Sequence, residues 1–492
     1  LTCDNPRDIM QITAKGMMIQ SNNTIMNLFG SFAAARDSVS SRLMWDNSGK
    51  ETYAGEIVTK SRLWKENNQL WADTRILPTQ IIMNDSVWNI RPSTAKTDMK
   101  SIWINDFRIE HKQQYLGING ILSSQPADSL NVDIQGIQLE YVSKMLHMQN
   151  PSLNGTVTGK VSILSVLSHP IIKANLFTRD FGLNHCIWGD TYAESSWDDT
   201  NHKLNLLGRV MNKKDTVALM KGGFYVEKDS MALFGFARHL PIDFLNPYLN
   251  SFLSNPKGTA SGNMGMFLAK GNVWFDGDVK IENGQAGIGS LNTTYTFNDS
   301  IHLRKEAIIL TNVVLHDAEN NTGIISCTAP NTYLKNWKYN VQVSTNNLLV
   351  MNTKETDSEN FWGRIYGSGS VRITGDNKGT NITINATSKP KTNVYISVGS
   401  AASAVDNSFI DYVVKKKRNA TVAVTPHIKS GDSSPTIISA TLNVTPDAQL
   451  HLIIDPKAGD KIDAVGSGVL NVGYTLHNPE LQMQGSYTIN EG

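Results

Sequence analysis

The residues with chemistry in them are few and scattered along the 492-residue chain. His185 beside Cys186 is its one close His/Cys pair, and a bound metal would need at least a third ligand. With none nearby in sequence, the pair reads as packing. Carboxylates cluster at Asp198-Asp199 and Asp357–Glu359, both in loop-like sequence. Glycosidic chemistry would need two of them about 5–10 Å apart in one cleft; solvated turns are the simpler reading. No G-x-S-x-G elbow, HExxH, P-loop or G-x-G-x-x-G ahead of a helix occurs. The sequence therefore points to no catalytic residue, no metal, no cofactor and no enzyme. Trp88, Trp103, Trp274 and Trp362 could stack on sugars, but a Trp in an alternating strand more often packs.

Composition narrows the class further. A net charge of +1 argues against nucleic acid, which calls for a basic surface. The single basic run, Lys415–Arg418, reads as a solvated loop. Cys3, Cys186 and Cys327 are widely spaced without a CxxC, so neither a disulfide framework nor a zinc site is implied. Charged residues make up only 18%, while Asn, Thr and Ser are abundant, which suits extended β-structure better than exposed helices. No run of 18 apolar residues is present to span a membrane as a helix. The opening on Leu1 and the ending Tyr487–Gly492 read as a segment of a longer protein.

The elements that would position any site are strands. Period-2 alternation puts Ile382, Ile384 and Ala386 on one face, then Val394, Ile396 and Val398. Further on come Leu450, Leu452 and Ile454, and then Leu481, Met483, Gly485, Tyr487 and Ile489. Helical patterns are short: Gln138–Leu146, Pro241–Phe252 and, more weakly, Ser408–Val413. So little helix cannot cover a sheet as crossover helices do. A loose repeat recurs at roughly 100-residue spacing. Gly155 and Gly159 lead to Val161 and Ile163 with Val157 between; Gly258 and Gly262 lead to Met264 and Met266. Gly367 and Gly369 lead to Val371 and Ile373; Gly466 and Gly468 lead to Leu470 and Val472. Regular self-similarity favours one elongated stack over separate globular domains.

In FWGRIYGSGSVRITG (Phe361–Gly375), odd positions carry only apolar residues or glycine, with Ile365, Val371 and Ile373 as the apolar wall. Even positions carry Arg364 and Arg372 and are expected to face outward. Glycines on an otherwise apolar face fit a sheet that bends around something else and keeps open space inside.

This stretch, followed by INATSKPKTNVYISV, resembles the C-terminal region of TamB-like proteins of two-membrane bacteria. So does the closing stretch from Leu442 to Gly492, where Asp455-Pro456 precedes a Gly-x-Gly-x-Leu strand and then Gly485-x-Tyr487-x-Ile489. The tract LEYVSKMLHMQNPSLNGTVTGKVSI and its partner around Asp243–Phe267 resemble the family's short helix followed by a glycine-bearing strand. The likeness is clearest over 130–492. It implies an all-β fold, an elongated sheet folded lengthwise into an open apolar trough (a β-taco) with two or three short helices. Residues 1–135 would continue the β-taco strands, 136–375 would be β-taco repeats with helices near 138–147 and 241–253, and 376–492 would be the C-terminal segment.

The resemblance further implies a periplasm-spanning conduit moving phospholipids between the inner and outer membranes, with acyl chains in the trough. The apolar residues named above then become lipid-groove candidates, and Gly155, Gly159, Gly258, Gly262, Gly367, Gly369, Gly466 and Gly468 the bends. The implied partners are an outer-membrane assembly-type barrel (TamA-like) and, through an N-terminal anchor missing here, the inner membrane. If a strand with its turn takes about 12–15 residues, the chain holds roughly 33–41 strands, on the order of 160–200 Å at the usual strand spacing. Two other readings stand beside it: a scaffold or chaperone for outer-membrane protein assembly by strand addition, and a secreted β-solenoid that binds polysaccharide.

Overall fold

The computed structural model describes residues 10–19, 25–47, 53–83, 85–145, 151–168, 170–250, 253–357, 361–397, 436–455, 459–476 and 478–492. It is all-β, 78% strand and 5% helix, which leaves too little helix to cover a sheet. Thirty strands form one mixed sheet among the described residues. Several reach 16 or 17 residues, longer than local turn spacing implies. The chain forms two compact units, Leu1–Pro247 with Gly265–Asn272, and Tyr248–Met264 with Val273–Gly492. No helix among the described residues is long and apolar enough to cross a membrane.

In the first unit, β1 (Met10–Ile19), β2 (Ile25–Ala35), β3 (Ser38–Asn47) and β4 (Tyr53–Glu66) form an antiparallel meander. The next strand is broken in two: β5 (Gln69–Ile76) pairs with the C-terminal half of β4 and β6 (Thr79–Met83) with its start. The return is broken alike into β7 (Ser86–Ile90) and β8 (Ser93–Thr97), and β9 (Ile102–His111) pairs with both. Pro78 and Pro92 sit at the breaks, where a residue without an N–H cannot continue the ladder. The neighbouring amides still pair, Leu77 N–H with the Val58 carbonyl and Arg91 N–H with that of Arg108.

From β9 the meander continues through β10 (Gln114–Leu122), β11 (Ser129–Gln138), β12 (Leu153–Leu164) and β13 (Ile171–Leu183). It ends with β14 (Cys186–Asp198), β15 (Lys203–Asn212), β16 (Asp215–Tyr225) and β17 (Ser230–Pro241). Between β11 and β12 lies α1 (Leu139–Met145), on the segment whose periodicity predicts a helix. Its Tyr141 ring meets Trp88 edge-on at 5.9 Å. Trp88, Ile81 and Ile90 form a closed core there, flanked by Trp45, Ile57, Phe107, Ile109 and Ile137.

A 3-10 turn at Asp243–Leu245 and α2 (Asn246–Leu249) fall where the second helix is expected. After them come β18 (Ser254–Ala269), β19 (Asn272–Ile288), β20 (Thr293–Arg304) and β21 (Ala307–His316). Antiparallel pairing runs from β19 onward through β22 (Thr322–Pro330), β23 (Lys338–Thr353) and β24 (Phe361–Asp376). Again the next strand is broken, into β25 (Gly379–Ser388) and β26 (Asn393–Ser397), both against β24. β27 (Thr436–Val444) and β28 (Gln449–Asp455) lie parallel to these two. β29 (Asp460–Leu476) runs antiparallel to both, and β30 (Asn478–Glu491) closes on β29. Pro390 and Pro446 mark the breaks. The weak helix at Ser408–Val413 lies outside the described residues, as do Lys415–Arg418.

Two glycines of the repeat, Gly155 and Gly258, and Gly363 outside it have a common backbone setting. Gly155, Gly258 and Gly363 each stand near the start of a strand that follows a short helix or 3-10 turn, and each has a positive φ, +118°, +135° and +133°. At Gly155 the register with β13 slips by one, a bulge that re-aims the strand.

Candidate functional site

Cross-strand register lines up one apolar face in each unit. In the first, Phe107, Ile118, Val132, Val161, Ala174, Ser195, Leu206, Gly222 and Leu233 oppose one another in sequence across β9–β17. The next row on the same face reads Ile109, Leu116, Ile134, Gly159, Leu176, Ala193, Gly208, Met220 and Gly235. Neither row holds an ionisable side chain, and most members are only half-buried. A cleft of about 970 Å³ in this region is lined by Phe107, Ile118, Val132, Val161 and Leu206 together with charged residues that include Arg108, Asp133, Lys160 and Glu194.

The second unit repeats the arrangement. Val313, Ile325, Val343, Val371, Ile384, Ala440, Val472 and Met483 occupy successive cross-strand positions from β21 to β30. Beside them run Leu310, Cys327, Val341, Ile373, Ile382, Ile438 and Tyr474. On the other side run Thr345, Gly369, Ala386, Leu442, Leu470 and Gly485. The opposite face is equally uniform: Ser344, Ser370, Asn385, Thr441, Asn471 and Gln484 form an all-neutral polar row. Burial pushes the Cys327 thiol up, so it stays neutral.

Among the sequence-derived candidates, Val161, Val371, Ile373, Ile382, Ile384, Leu470 and Val472 fall in these rows. Ile163 extends the first-unit face, opposite Leu130 and Ile172. Val394 and Leu450 share a row with Gly363 and Ala464, and Ile396 and Leu452 share one with Phe361 and Ile462. Ile365 opposes Met351. Val157 is buried, whereas Ile454 (46%) and Ile489 (53%) stand exposed. Met264 and Met266 are half-buried in β18. Leu481 lies in β30, and Val398 falls outside the described residues.

Seven of the eight bend glycines are tightly enclosed. A Cβ at Gly159 (φ +153°) would run into the Asn175 carbonyl oxygen, and one at Gly369 (φ +141°) into that of Asn385. The same holds at Gly262, Gly466 and Gly468, with Asp278, Thr488 and Ser486. At Gly155 and Gly258 the nearest atoms are Arg179 O at 2.8 Å and Gly284 Cα at 3.0 Å. At these positions the neighbouring backbone takes the room beside the glycine. Gly367 alone has slack, its nearest neighbour being a Val350 methyl at 3.8 Å.

The even positions of β24 depart from a simple outer face. Arg364 and Arg372 are exposed, but Trp362 and Tyr366 are 9% and 1% exposed. Local alternation cannot foresee this, because the cover comes from elsewhere in the chain. Glu319, after β21, bonds Arg364 at 2.5 Å and Lys391 at 3.3 Å. The Arg364 guanidinium lies 5.2 Å from the Tyr366 ring centre. Burial, and then the Glu319 carboxylate, push the Tyr366 phenol up to about 12. Burial alone would raise the Asp317 carboxyl. The Asn321 amide and the N–H groups of Leu349, Asn321 and Glu319 outweigh it and hold the group below the usual carboxylate range.

The remaining chemistry-bearing residues are engaged with protein. The His185 N–H donates to the Asn154 side chain, and the Cys186 thiol faces the Pro241 carbonyl at 3.8 Å. Trp103 stacks on Trp71, which stacks on Trp64, and Lys96 caps that ladder at 4.5 Å. Trp274 packs on Tyr333. Trp362, Tyr395 and His451 stack across three strands, and His451 Nδ1 meets Asp463 at 2.5 Å. That contact and Lys461 lower the Asp463 carboxyl pKa. No group of three His, Cys, Asp or Glu among the described residues is placed to hold a metal.

Sequence reasoning misses Phe107, Ile118, Val132, Ala174 and Leu206. Asp106 (φ +55°) adds a residue within β9, so Ile104 and Phe107 share a face three positions apart and the period-2 signal breaks. Residues 312–492, a little over a third of the chain, match the family model described as the TamB C-terminal domain. Neither curated proteins nor solved structures give a significant match.

Proposed function

We propose, from the premise that residues 312–492 are a TamB-like C-terminal domain, that the chain is a non-enzymatic conduit carrying phospholipid along its apolar sheet faces between the inner and outer membranes. The observation that carries this reading is the continuity of the rows through Val371 and Val161, apolar from strand to strand except at Ser195 and without an ionisable side chain. Each acyl methylene removed from water gains about 0.8 kcal/mol. A row with no charge offers burial without a deep trap, so a tail can slide. On this reading the chain works in the periplasm, with an outer-membrane assembly barrel (TamA-like) and an inner-membrane anchor as partners.

A second reading, a scaffold that guides outer-membrane proteins by strand addition, draws on one feature. Among the described residues β30 pairs with β29 alone, and an open edge offers a row of backbone donors and acceptors.

Mass spectrometry of the gently extracted chain, with photocrosslinkers at Val371, Leu470, Arg372 and Asn471, separates the two. Several phospholipids per chain, with lipid adducts concentrated at Val371 and Leu470, are expected. A lipid-free chain, or equal labelling at all four positions, overturns the conduit. Crosslinks to outer-membrane protein precursors in place of lipid favour the scaffold.

A further inference from the structure

We propose that a cleft on the polar face of the second unit, walled by Trp362 and Tyr395, binds a phosphate ester of a polyol or sugar. The cleft, about 630 Å³, lies where the end of β23, the start of β24 and the β25–β26 turn meet. Three cations line it from these three places, Lys354, Arg364 and Lys391, against a single carboxylate among the lining residues, Glu355. Glu319 ion-pairs with both Arg364 and Lys391 and so holds the two side by side, balancing part of their charge. Guanidinium and ammonium groups gathered this way match the oxygens of a phosphate.

The walls specify the rest of the ligand. Trp362 and Tyr395 stack on each other at 5.7 Å with their planes 2° apart, a rigid apolar border to the cleft for the carbon atoms of a sugar or polyol. Asn393, which pairs with Arg364 and shares its face, lines the cleft and has its Oδ1 buried without a hydrogen-bond partner. Buried polar groups left unpaired cost free energy, and a hydroxyl-bearing ligand supplies what they lack. Trp362 and Arg364 alternate along β24 with Gly363 and Ile365 of the apolar side. The cleft is therefore on the other face from the lipid path, and the inference does not rest on it.

Isothermal titration of the full chain with sn-glycerol 3-phosphate, glycerol and inorganic phosphate tests the chemistry. The expected result is one glycerol 3-phosphate bound per chain, no glycerol, and weaker inorganic phosphate. The Lys354→Ala/Lys391→Ala variant, altered only at exposed positions, should bind at least about tenfold more weakly with unchanged circular dichroism, having lost two charge-assisted contacts. Glycerol 3-phosphate bound no better than glycerol or inorganic phosphate, or a variant that binds like the parent, overturns the site. Vesicles of phosphatidylglycerol and of phosphatidylcholine identify the source. Selective phosphatidylglycerol binding that the variant loses assigns a lipid headgroup; vesicle binding indifferent to the variant, with glycerol 3-phosphate binding weakened, assigns a soluble ester.

Discussion

At Gly369 the backbone sits at φ +141°, and the position a Cβ would occupy is taken by the Asn385 carbonyl on β25. Any side chain there must push apart two paired strands while adopting a conformation L-residues avoid, a strain of about 1–3 kcal/mol before the clash is counted. Gly208, in the first-unit row, has nothing within 4 Å and no positive φ. Gly369→Ala is therefore expected to lower the urea midpoint clearly, whereas Gly208→Ala leaves it near the parent value or raises it. Equal effects in the two variants would show that composition, not close approach, keeps glycine at Gly369. Local patterning identifies Gly369 as special, since alternation puts it on an apolar face. It cannot say that the missing side chain makes room for a neighbouring strand, because Asn385 meets it only through the β24–β25 register.

At the scale of elements, the proline breaks pose the main physical problem, since each opens a gap in the ladder. Pro390 interrupts the strand between β25 and β26, opposite Tyr366 on β24. Thr392, 3% exposed, spans the gap: its hydroxyl donates to the Tyr366 carbonyl at 3.1 Å and accepts the Tyr366 N–H at 3.1 Å. The Lys389 N–H shares that carbonyl at 2.9 Å. Thr392→Val keeps the shape and removes the hydroxyl, leaving the Tyr366 N–H buried and unpaired. A loss of about 1–3 kcal/mol is expected in chemical unfolding, while Thr392→Ser stays close to the parent. Similar stabilities for the Val and Ser variants would show that water or a shifted strand fills the gap instead. Nothing in KPKTN signals this bridge beyond the proline itself, because the partner lies 26 residues away.

Over the whole molecule the core is sparse. Among the described residues only nineteen hydrophobic side chains are buried, and three of them, Ile81, Trp88 and Ile90, form a packed cluster. A globular chain of this length would close its apolar residues away far more completely. Here the long apolar rows stay half-buried, the condition under which a surface takes a ligand or partner. Val371→Glu is accordingly expected to abolish lipid retention and lipid transfer between donor and acceptor vesicles, since an unpaired carboxylate on an apolar face costs several kcal/mol. Arg372→Glu, one residue along on the polar face, should leave both intact. Transfer unaffected by Val371→Glu in a folded variant would remove this face from the lipid path.

Period-2 alternation is written into the chain itself, because successive side chains of an extended backbone point to opposite sides whatever they later pair with. The sequence alone therefore determined the all-β class, the two short helices near Leu139 and Asn246, the polar-against-apolar division from Gly369 to Ile373, and a spaced series of glycines. Tertiary structure alone decided what depends on register and on cover from distant segments. It aligned Val371 with Ile384 and Ala440, introduced the parallel step from β25 to β27, and restored Phe107 to the apolar face through a bulge. It also buried Trp362 and Tyr366 on a face whose local pattern is polar, because Tyr395 stacks on Trp362 while Glu319 and the β25–β26 turn, far away in sequence, engage Tyr366.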